Sequence, residues 1–389
     1  MSNRIVITGA GVVSALGCGK SENLAALKAR RSGISRVHFL STSLTHLLVG
    51  EVPLSNTQIS DILGISATYP RSSLLGILAL SEALLQSKLT TIDDGEMFPL
   101  VSGTTVGGMD LTEQSFPSVS KYHDCGASTD VIASHFQVFS SATTVSTACS
   151  SAMNAILYGA NLIRTGQAKR VAVGGTEALS NFHLNGFNSL MILDTKPCCP
   201  FDANRAGLNL GEGAAFIILE DEEFAIGRDI PIIGVLSGGG NACDAFHQTA
   251  SSENGEGAYL AMRKALASSG IKPSEIDYIN AHGTGTVNND ASESMAIRRV
   301  FNSCIPPVSS TKAYTGHTTS ASGSIETVFC LLALQDGILL PQLSFTTPDP
   351  ACIIPSMGGE KKLKHILCNS FGFGGNDSSI VISRYERAK

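Results

Sequence analysis

The 389 residues carry 27 Lys and Arg against 33 Asp and Glu, a net charge of −6, with 43% hydrophobic residues, 39 glycines, ten cysteines and no tryptophan. A chain of this length and apolar content buries a large core and suits two domains or one duplicated unit. The acidic balance argues against nucleic acid as a partner. No apolar run reaches the roughly 18 residues that a membrane span needs. The start, Met1-Ser2-Asn3-Arg4, leads straight into strand-like Ile5-Val6-Ile7, as expected of a chain without a signal peptide. The cysteines show no zinc spacing, so no metal is expected, and they read as reduced thiols of a cytoplasmic protein.

The elements alternate between strand and helix throughout. Residues 4–8 read as a strand and Gly9-Ala10-Gly11 as the turn after it. Helices follow at 21–31 and 74–87, then a strand at 98–103 running into Thr104-Thr105-Val106-Gly107-Gly108. Residues 110–128 are polar and turn-rich and read as loop. Residues 142–147 are rich in Thr and Val, which suits a buried strand. Small and apolar residues from Ala152 through Ile163 suit a helix buried on most sides. Another strand spans 170–174.

Periodicity is then lost between Asn181 and Gly213, a long connection of the kind that is often functional. A strand at 214–220 and a charged stretch at 221–229 place a boundary near residue 225. The second part repeats the order of elements. A strand at 231–236 ends in Gly238-Gly239-Gly240. Helices at 256–268, 291–301 and 324–336 alternate with strands at 276–280, 308–310, 365–368 and 380–383. The expected organisation is two similar αβ halves, 1–225 and 226–389.

Four stretches carry chemistry. Cys149, in Ser146-Thr147-Ala148-Cys149-Ser150-Ser151, sits where a strand turns into a helix. Free N–H groups and the positive end of the helix dipole favour its thiolate there. The alternative is a small buried thiol at a tight packing point. His282 lies in Asn280-Ala281-His282-Gly283-Thr284-Gly285-Thr286, at a strand end kept open by small neighbours. Lys312 and His317 share one loop, Ser310-Thr311-Lys312-Ala313-Tyr314-Thr315-Gly316-His317. Phe371 and Phe373 are separated by glycine in Asn369-Ser370-Phe371-Gly372-Phe373-Gly374-Gly375. Taken singly, each has an ordinary structural reading.

Together, and with Ile7-Thr8-Gly9-Ala10-Gly11, Asp202-Ala203-Asn204-Arg205, Gly211-Glu212-Gly213-Ala214 and Asp244-Ala245-Phe246-His247, they resemble the beta-ketoacyl-acyl-carrier-protein synthases of the thiolase superfamily. The resemblance covers nearly the whole chain. It implies an α/β thiolase fold, five-layered α-β-α-β-α, built from two duplicated halves and usually dimeric. It implies Cys149 as acyl-bearing nucleophile and His282 and His317 as the pair that binds the extender thioester carbonyl. Lys312 matches the lysine beside the second histidine, with Glu293 as its expected charged partner. Thr284 and Thr286 match contacts to a phosphopantetheine arm, which arrives on the acyl carrier protein, so no cofactor resident in the chain is implied. Phe371 and Phe373 match a gating pair and Asp244 the second gating loop. The N–H groups of Cys149 and Phe373 match an oxyanion hole, and Val106 a residue at the depth of the acyl tunnel.

The Cys-His-His set resembles the elongating type, with malonyl-carrier as extender. The competing readings are a non-elongating, chain-length-factor-like partner subunit and a thiolase-type acyltransferase. The implied partners are an acyl carrier protein and a second, ketosynthase-like subunit, in a homodimer or a heterodimer. Four departures favour a specialised polyketide or polyene pathway as the alternative to fatty-acid elongation. They are the polar Thr-Thr-Ser-Ala-Ser-Gly after His317, Ala206 where Asp is common, Asn376-Asp377 in place of Thr-Asn, and a shortened span from Val106 to Cys149. Because carrier proteins are acidic, a local basic patch is expected to dock them, with Arg71, Lys121, Lys196 and Arg205 as candidates.

Overall fold

The computed structural model describes residues 4–92 and 95–387. Met1-Ser2-Asn3, expected to lead into the first strand, lie outside the described residues. Among the described residues the main sheet has eleven strands: a two-residue strand, Gly17–Cys18, that pairs only with the first strand, and ten that form one continuous path. In chain order the ten are β1 (Ile5–Ser14), β2 (Phe98–Gly103), β3 (Phe139–Val145), β4 (Arg170–Glu177), β5 (Gly213–Asp221), β6 (Gly234–Cys243), β7 (Tyr278–Asn280), β8 (Val308–Ser309), β9 (His365–Gly372) and β10 (Asn376–Ser383). Their order across the sheet is β8-β7-β9-β10-β6-β1-β5-β4-β2-β3.

That order is one pattern used twice. β1 pairs antiparallel with β5, β5 antiparallel with β4, and β4 and β3 both run parallel to β2. Adding five to each label gives the second half, with the same directions. The two sets meet where residues 5–7 pair with 234–236.

The helices complete five layers. α1 (Gly19–Lys28), α4 (Ser151–Arg164) and α8 (Ser322–Asp336) lie in the middle, α2 (Arg71–Gln86) and α3 (Cys125–Phe136) outside the first set, and α6 (Glu256–Ser269) and α7 (Val287–Phe301) outside the second. Alternation along the strands sets which layer each side chain meets. Ile217 and Leu219 of β5 face the middle helices while Phe216 and Ile218 face α2. In β9, Ile366 and Cys368 face the middle and Leu367 faces α6 and α7. Both faces of each set are therefore buried. That is why these strands read as near-continuous apolar runs rather than as alternating ones.

One expected turn, Gly9-Ala10-Gly11, and one expected strand end, Gly238-Gly239-Gly240, are strand interior. Gly9 and Gly11 lie within β1, where a Cβ would meet the α2 carbonyls of Ala83 and Ala79 at 2.2 and 2.0 Å. Gly238 and Gly240 lie within β6, where a Cβ would meet the α6 carbonyls of Ala265 and Ala261 at 2.6 and 2.5 Å. In both halves, two glycines at alternate strand positions let a helix seat its backbone directly on the sheet.

The polar stretch 110–128 is also not all loop. It holds a short helix, Met109–Ser115, and the start of α3. Ser128 of α3 hydrogen-bonds Ser72 and Ser73 of α2, and Ile132 packs against Gly76. Its buried face is thus half hydroxyl, which hid it from an apolar-periodicity reading. The aperiodic connection after residue 181 begins with another helix, α5 (Asn181–Ser189), capped by Ser180, whose side chain accepts from His183 N–H.

Candidate active site

The chain that follows the C-terminal ends of β3, β7 and β8 converges on one cavity, and the chemistry gathers there, strand C-terminal ends being the usual place for a site in α/β sheets. Cys149 follows β3. Ala148 before it has a left-handed backbone (φ 52°), an uncommon conformation for a residue with a Cβ. Short bonds hold this tight turn: Ser151 Oγ to Ala148 O at 2.6 Å, Thr147 N–H to Ser151 Oγ at 2.9 Å, and Ser370 Oγ to Cys149 O at 2.9 Å.

His317, after β8, places its Nε2 3.1 Å from Cys149 Sγ, and its Nδ1 lies 3.0 Å from Ser322 Oγ. The His282 ring, after β7, stands edge-on to the His317 ring at 5.2 Å. The two carboxylate oxygens of Glu293 accept from the N–H groups of His282 and Gly283 at 2.9 and 2.8 Å, which fixes that turn. Among the described residues His282 Nδ1 is buried without a hydrogen-bond partner.

Burial, then the Lys312 charge, holds both imidazoles well below the ordinary histidine range, so both are neutral near pH 7. Burial pushes the Cys149 thiol up to about 11, against the downward pull of Lys312 and of the Phe373 and Cys149 N–H groups. The expectation of a lowered thiol pKa is therefore corrected. The helix proper begins at Ser151, beyond Cys149, and the desolvation of a fully buried sulfur outweighs the positive groups around it. Those two N–H groups are the pair expected to form an oxyanion hole.

The lysine pairing is corrected as well. Lys312 Nζ lies 2.6 Å from Glu326 Oε1 of α8, and both side chains are buried. Glu293 is already occupied by the 282–283 turn and by Asn369 Nδ2 at 3.1 Å. Burial raises Glu326 to about 7 and Glu293 to about 6.

Cys149, His282, His317, Thr284, Thr286, Phe371 and Phe373 all line one cavity of about 350 Å³. Its wall carries no Lys, Arg, Asp or Glu among the described residues. Such a site suits an uncharged chain and a thioester whose charge develops only during reaction. Residues 2–225 match the family model described as "Beta-ketoacyl synthase, N-terminal domain", and residues 233–346 the one described as "Beta-ketoacyl synthase, C-terminal domain". The chain belongs to the beta-ketoacyl synthase family.

It is 32% identical to nodulation protein E of Rhizobium meliloti, over 99% of this chain and all of that protein. It is 31% identical to 3-oxoacyl-[acyl-carrier-protein] synthase 2 of Coxiella burnetii, over 98% of both chains. The solved ishigamide ketosynthase/chain length factor superposes with a TM-score of 0.90 at 30% identity, over 99% of this chain and all of that one. As a beta-ketoacyl synthase the chain is a condensing acyltransferase with the thiolase fold.

Within this synthase, three other residue groups fall apart from expectation. Val106 is buried after β2, with its N–H 3.3 Å from Glu177 Oε1, and is not part of the cavity lining. Asp244 is likewise outside the lining, although its N–H donates to Gly375 O at 2.8 Å and so touches the Phe373 loop. Of the docking candidates, Arg71 is buried against Glu212 (2.5 Å) and Arg205 against Asp349 (2.5 Å), so neither is available to a partner. Lys121 and Lys196 are exposed.

Sequence reading missed Phe187, whose ring stacks on Phe373 at 5.9 Å, and its successors Leu190 and Met191 at the cavity wall. The Ser180 cap was the available signal for the helix that carries Phe187. It also missed Ser322, which orients His317 and lies beyond the Lys-His motif.

Proposed function

We propose that the chain runs a decarboxylative Claisen condensation in which Cys149 carries the growing acyl group. The contact between His317 Nε2 and Cys149 Sγ, 3.1 Å inside the shared cavity, is the observation that carries this reading. With its own proton on Nδ1, His317 accepts the thiol proton at Nε2 as sulfur attacks the incoming acyl-carrier thioester. It then returns that proton to the departing carrier thiol. The malonyl thioester enters next and loses carbon dioxide. With its one proton shifted to Nε2 and Ser322 Oγ donating to Nδ1 in its place, His317 joins His282 in holding the developing enolate oxygen through N–H donors. The enolate carbon attacks the Cys149 thioester, the oxyanion rests on the Cys149 and Phe373 N–H groups, and collapse frees the cysteine sulfur. Each such donor is typically worth about 3–4 kcal/mol in the transition state.

Lys312 supplies a fixed positive charge that favours both the thiolate and neutral imidazoles. Thr284 and Thr286, joined by a 2.8 Å hydroxyl contact, line the path for the phosphopantetheine arm, and Phe371 and Phe373 gate it. We assign the two functional halves to residues 1–225 and 226–389. The partners are an acyl carrier protein and a second ketosynthase-like subunit in the cytoplasm. Support for these partners comes from the relatives, one named for the acyl carrier protein and another a ketosynthase/chain length factor. Incubation with an acyl-carrier and malonyl-carrier pair should give carbon dioxide and a β-ketoacyl-carrier in equal amounts. Absence of both with short, long and polyene acyl groups would overturn the proposal.

A further inference from the structure

The loop bearing Phe371 and Phe373 is anchored on its far side by a carboxyl group that the reaction does not use. Asp377, two residues beyond Gly375, is 4% exposed. The Gly372 N–H points at its carboxyl group. Its Oδ2 abuts Gly257, where a Cβ would stand 2.3 Å away, and the same position lies 2.7 Å from Asp244 Cβ. The two acids therefore share one small space that only a glycine leaves open.

Asp244 is fully engaged. Its carboxylate accepts from Ser252 N–H and Ser252 Oγ, both at 2.7 Å, and from Gly257 N–H at 3.2 Å. The segment 244–257 closes on the Phe373 loop through two backbone bonds of 2.8 Å, Asp244 N–H to Gly375 O and Gly374 N–H to Gln248 O. The charged groups facing Asp377 are Asp244 at the end of β6 and Glu293 of α7, both acids. On α6, Gly257 brings no charge, and the Lys264 ammonium is spent on Asn241 O at 2.8 Å. A further negative charge buried between two acids is strongly disfavoured. Burial first, then Asp244 and Glu293, raises the Asp377 carboxyl to about 8.

We infer that Asp377 is a positioning residue for the Phe373 loop: its protonated carboxyl lets segment 244–257 close on that loop, and its ionisation releases the clasp. The inference rests on the condensing reading of the site. Once released, the loop carries the Phe373 N–H away from the Cys149 sulfur, and condensation falls.

The test is the pH profile of condensation kcat/KM between about pH 6.5 and 9.5, each protein normalised to its own rate at pH 7. Wild type should fall about tenfold per unit above pH ~8, the slope of one ionisation. Asp377→Asn, neutral at every pH, should lose that fall. Asp244→Asn removes one negative neighbour, so the fall should begin at lower pH. A fall kept in Asp377→Asn, or unmoved in Asp244→Asn, overturns the inference. Amide hydrogen exchange at residues 373–375, corrected for intrinsic rate, gives a readout independent of activity. Protection should be lost above pH ~8 in wild type and kept in Asp377→Asn; equal pH dependence in the two overturns the clasp. A protein that condenses at no pH would defeat the condensing reading, while the exchange measurement would still decide the clasp.

Discussion

At the residue scale, the contact between Cys149 and His317 sets the order of events. A thiol held near 11 is protonated in the free enzyme at neutral pH, so alkylation of Cys149 by iodoacetamide should keep rising to about pH 10 rather than level off near 7. A plateau near neutrality would contradict the buried-thiol picture. Because His317 touches the sulfur and His282 does not, His317→Ala should slow acyl loading on the order of 10²-fold, the range of a positioned general base. His282→Ala should load normally and fail to decarboxylate malonyl-carrier. Single-turnover loading by mass spectrometry separates the two, and equal loading defects would remove the distinction. Asp377 also bears on stability. Its native pKa lies above the unfolded value, so its contribution is complete below about pH 4 and is lost as pH rises towards about 8. The stability of wild type relative to Asp377→Asn should decline across that window, as read by denaturant melts. A pH-independent difference would show that Asp377 titrates normally.

At the element scale, the site hangs on helices seated directly on strands. Gly11→Ala or Gly240→Ala would force a Cβ into an α2 or α6 carbonyl. Each should cost at least about 1–3 kcal/mol of folding stability, measured by urea unfolding, and a neutral effect would mean that the helices can lift off the sheet freely. Lys312→Met leaves Glu326 buried without its cation and Glu326→Gln leaves Lys312 buried without its anion, so each should cost on the order of 3–5 kcal/mol by urea unfolding, and a neutral effect of either would mean that the pair is not held together in the folded state. These pairs also show what the sequence could and could not convey. Strand and helix identities were legible where apolar or β-branched runs dominate, as in β2, β5 and α6. Gly9-Ala10-Gly11 was misread because glycine signals both a turn and a close approach, and only the partner helix decides between them. The α3 helix was hidden because serine hydroxyls cover half of its buried face. The lysine partner went to Glu293 because motif proximity says nothing of which carboxylate the 282–283 turn has already taken. Cys149, His282, His317 and the Phe pair were legible because each sits at a strand end in a short, distinctive run.

At the scale of the whole molecule, one strand order used twice brings the ends of β3 from one half and of β7 and β8 from the other to a single cavity. Neither half contains the Cys149–His317 contact alone. β3 is an edge strand, paired on one side by β2 within this chain, and an open edge of that kind invites a partner. Sedimentation should accordingly show a dimer, of this chain alone or with a ketosynthase-like subunit, and a monomer under both conditions would contradict the open-edge reading. Docking of the carrier, if electrostatic, falls to exposed Lys121 and Lys196. Charge reversal there should weaken binding more at low salt than at high salt, whereas reversal of Arg71 or Arg205 should unfold the protein. No described helix is long and apolar enough to cross a membrane. The central claim is that acyl groups travel through Cys149. Intact-mass analysis followed by peptide mapping, after incubation with acyl-carrier proteins, tests it most directly. The account predicts a single acyl adduct on Cys149, lost on adding malonyl-carrier and absent in Cys149→Ala. An adduct on another of the ten cysteines, or condensation surviving in Cys149→Ala, would contradict it.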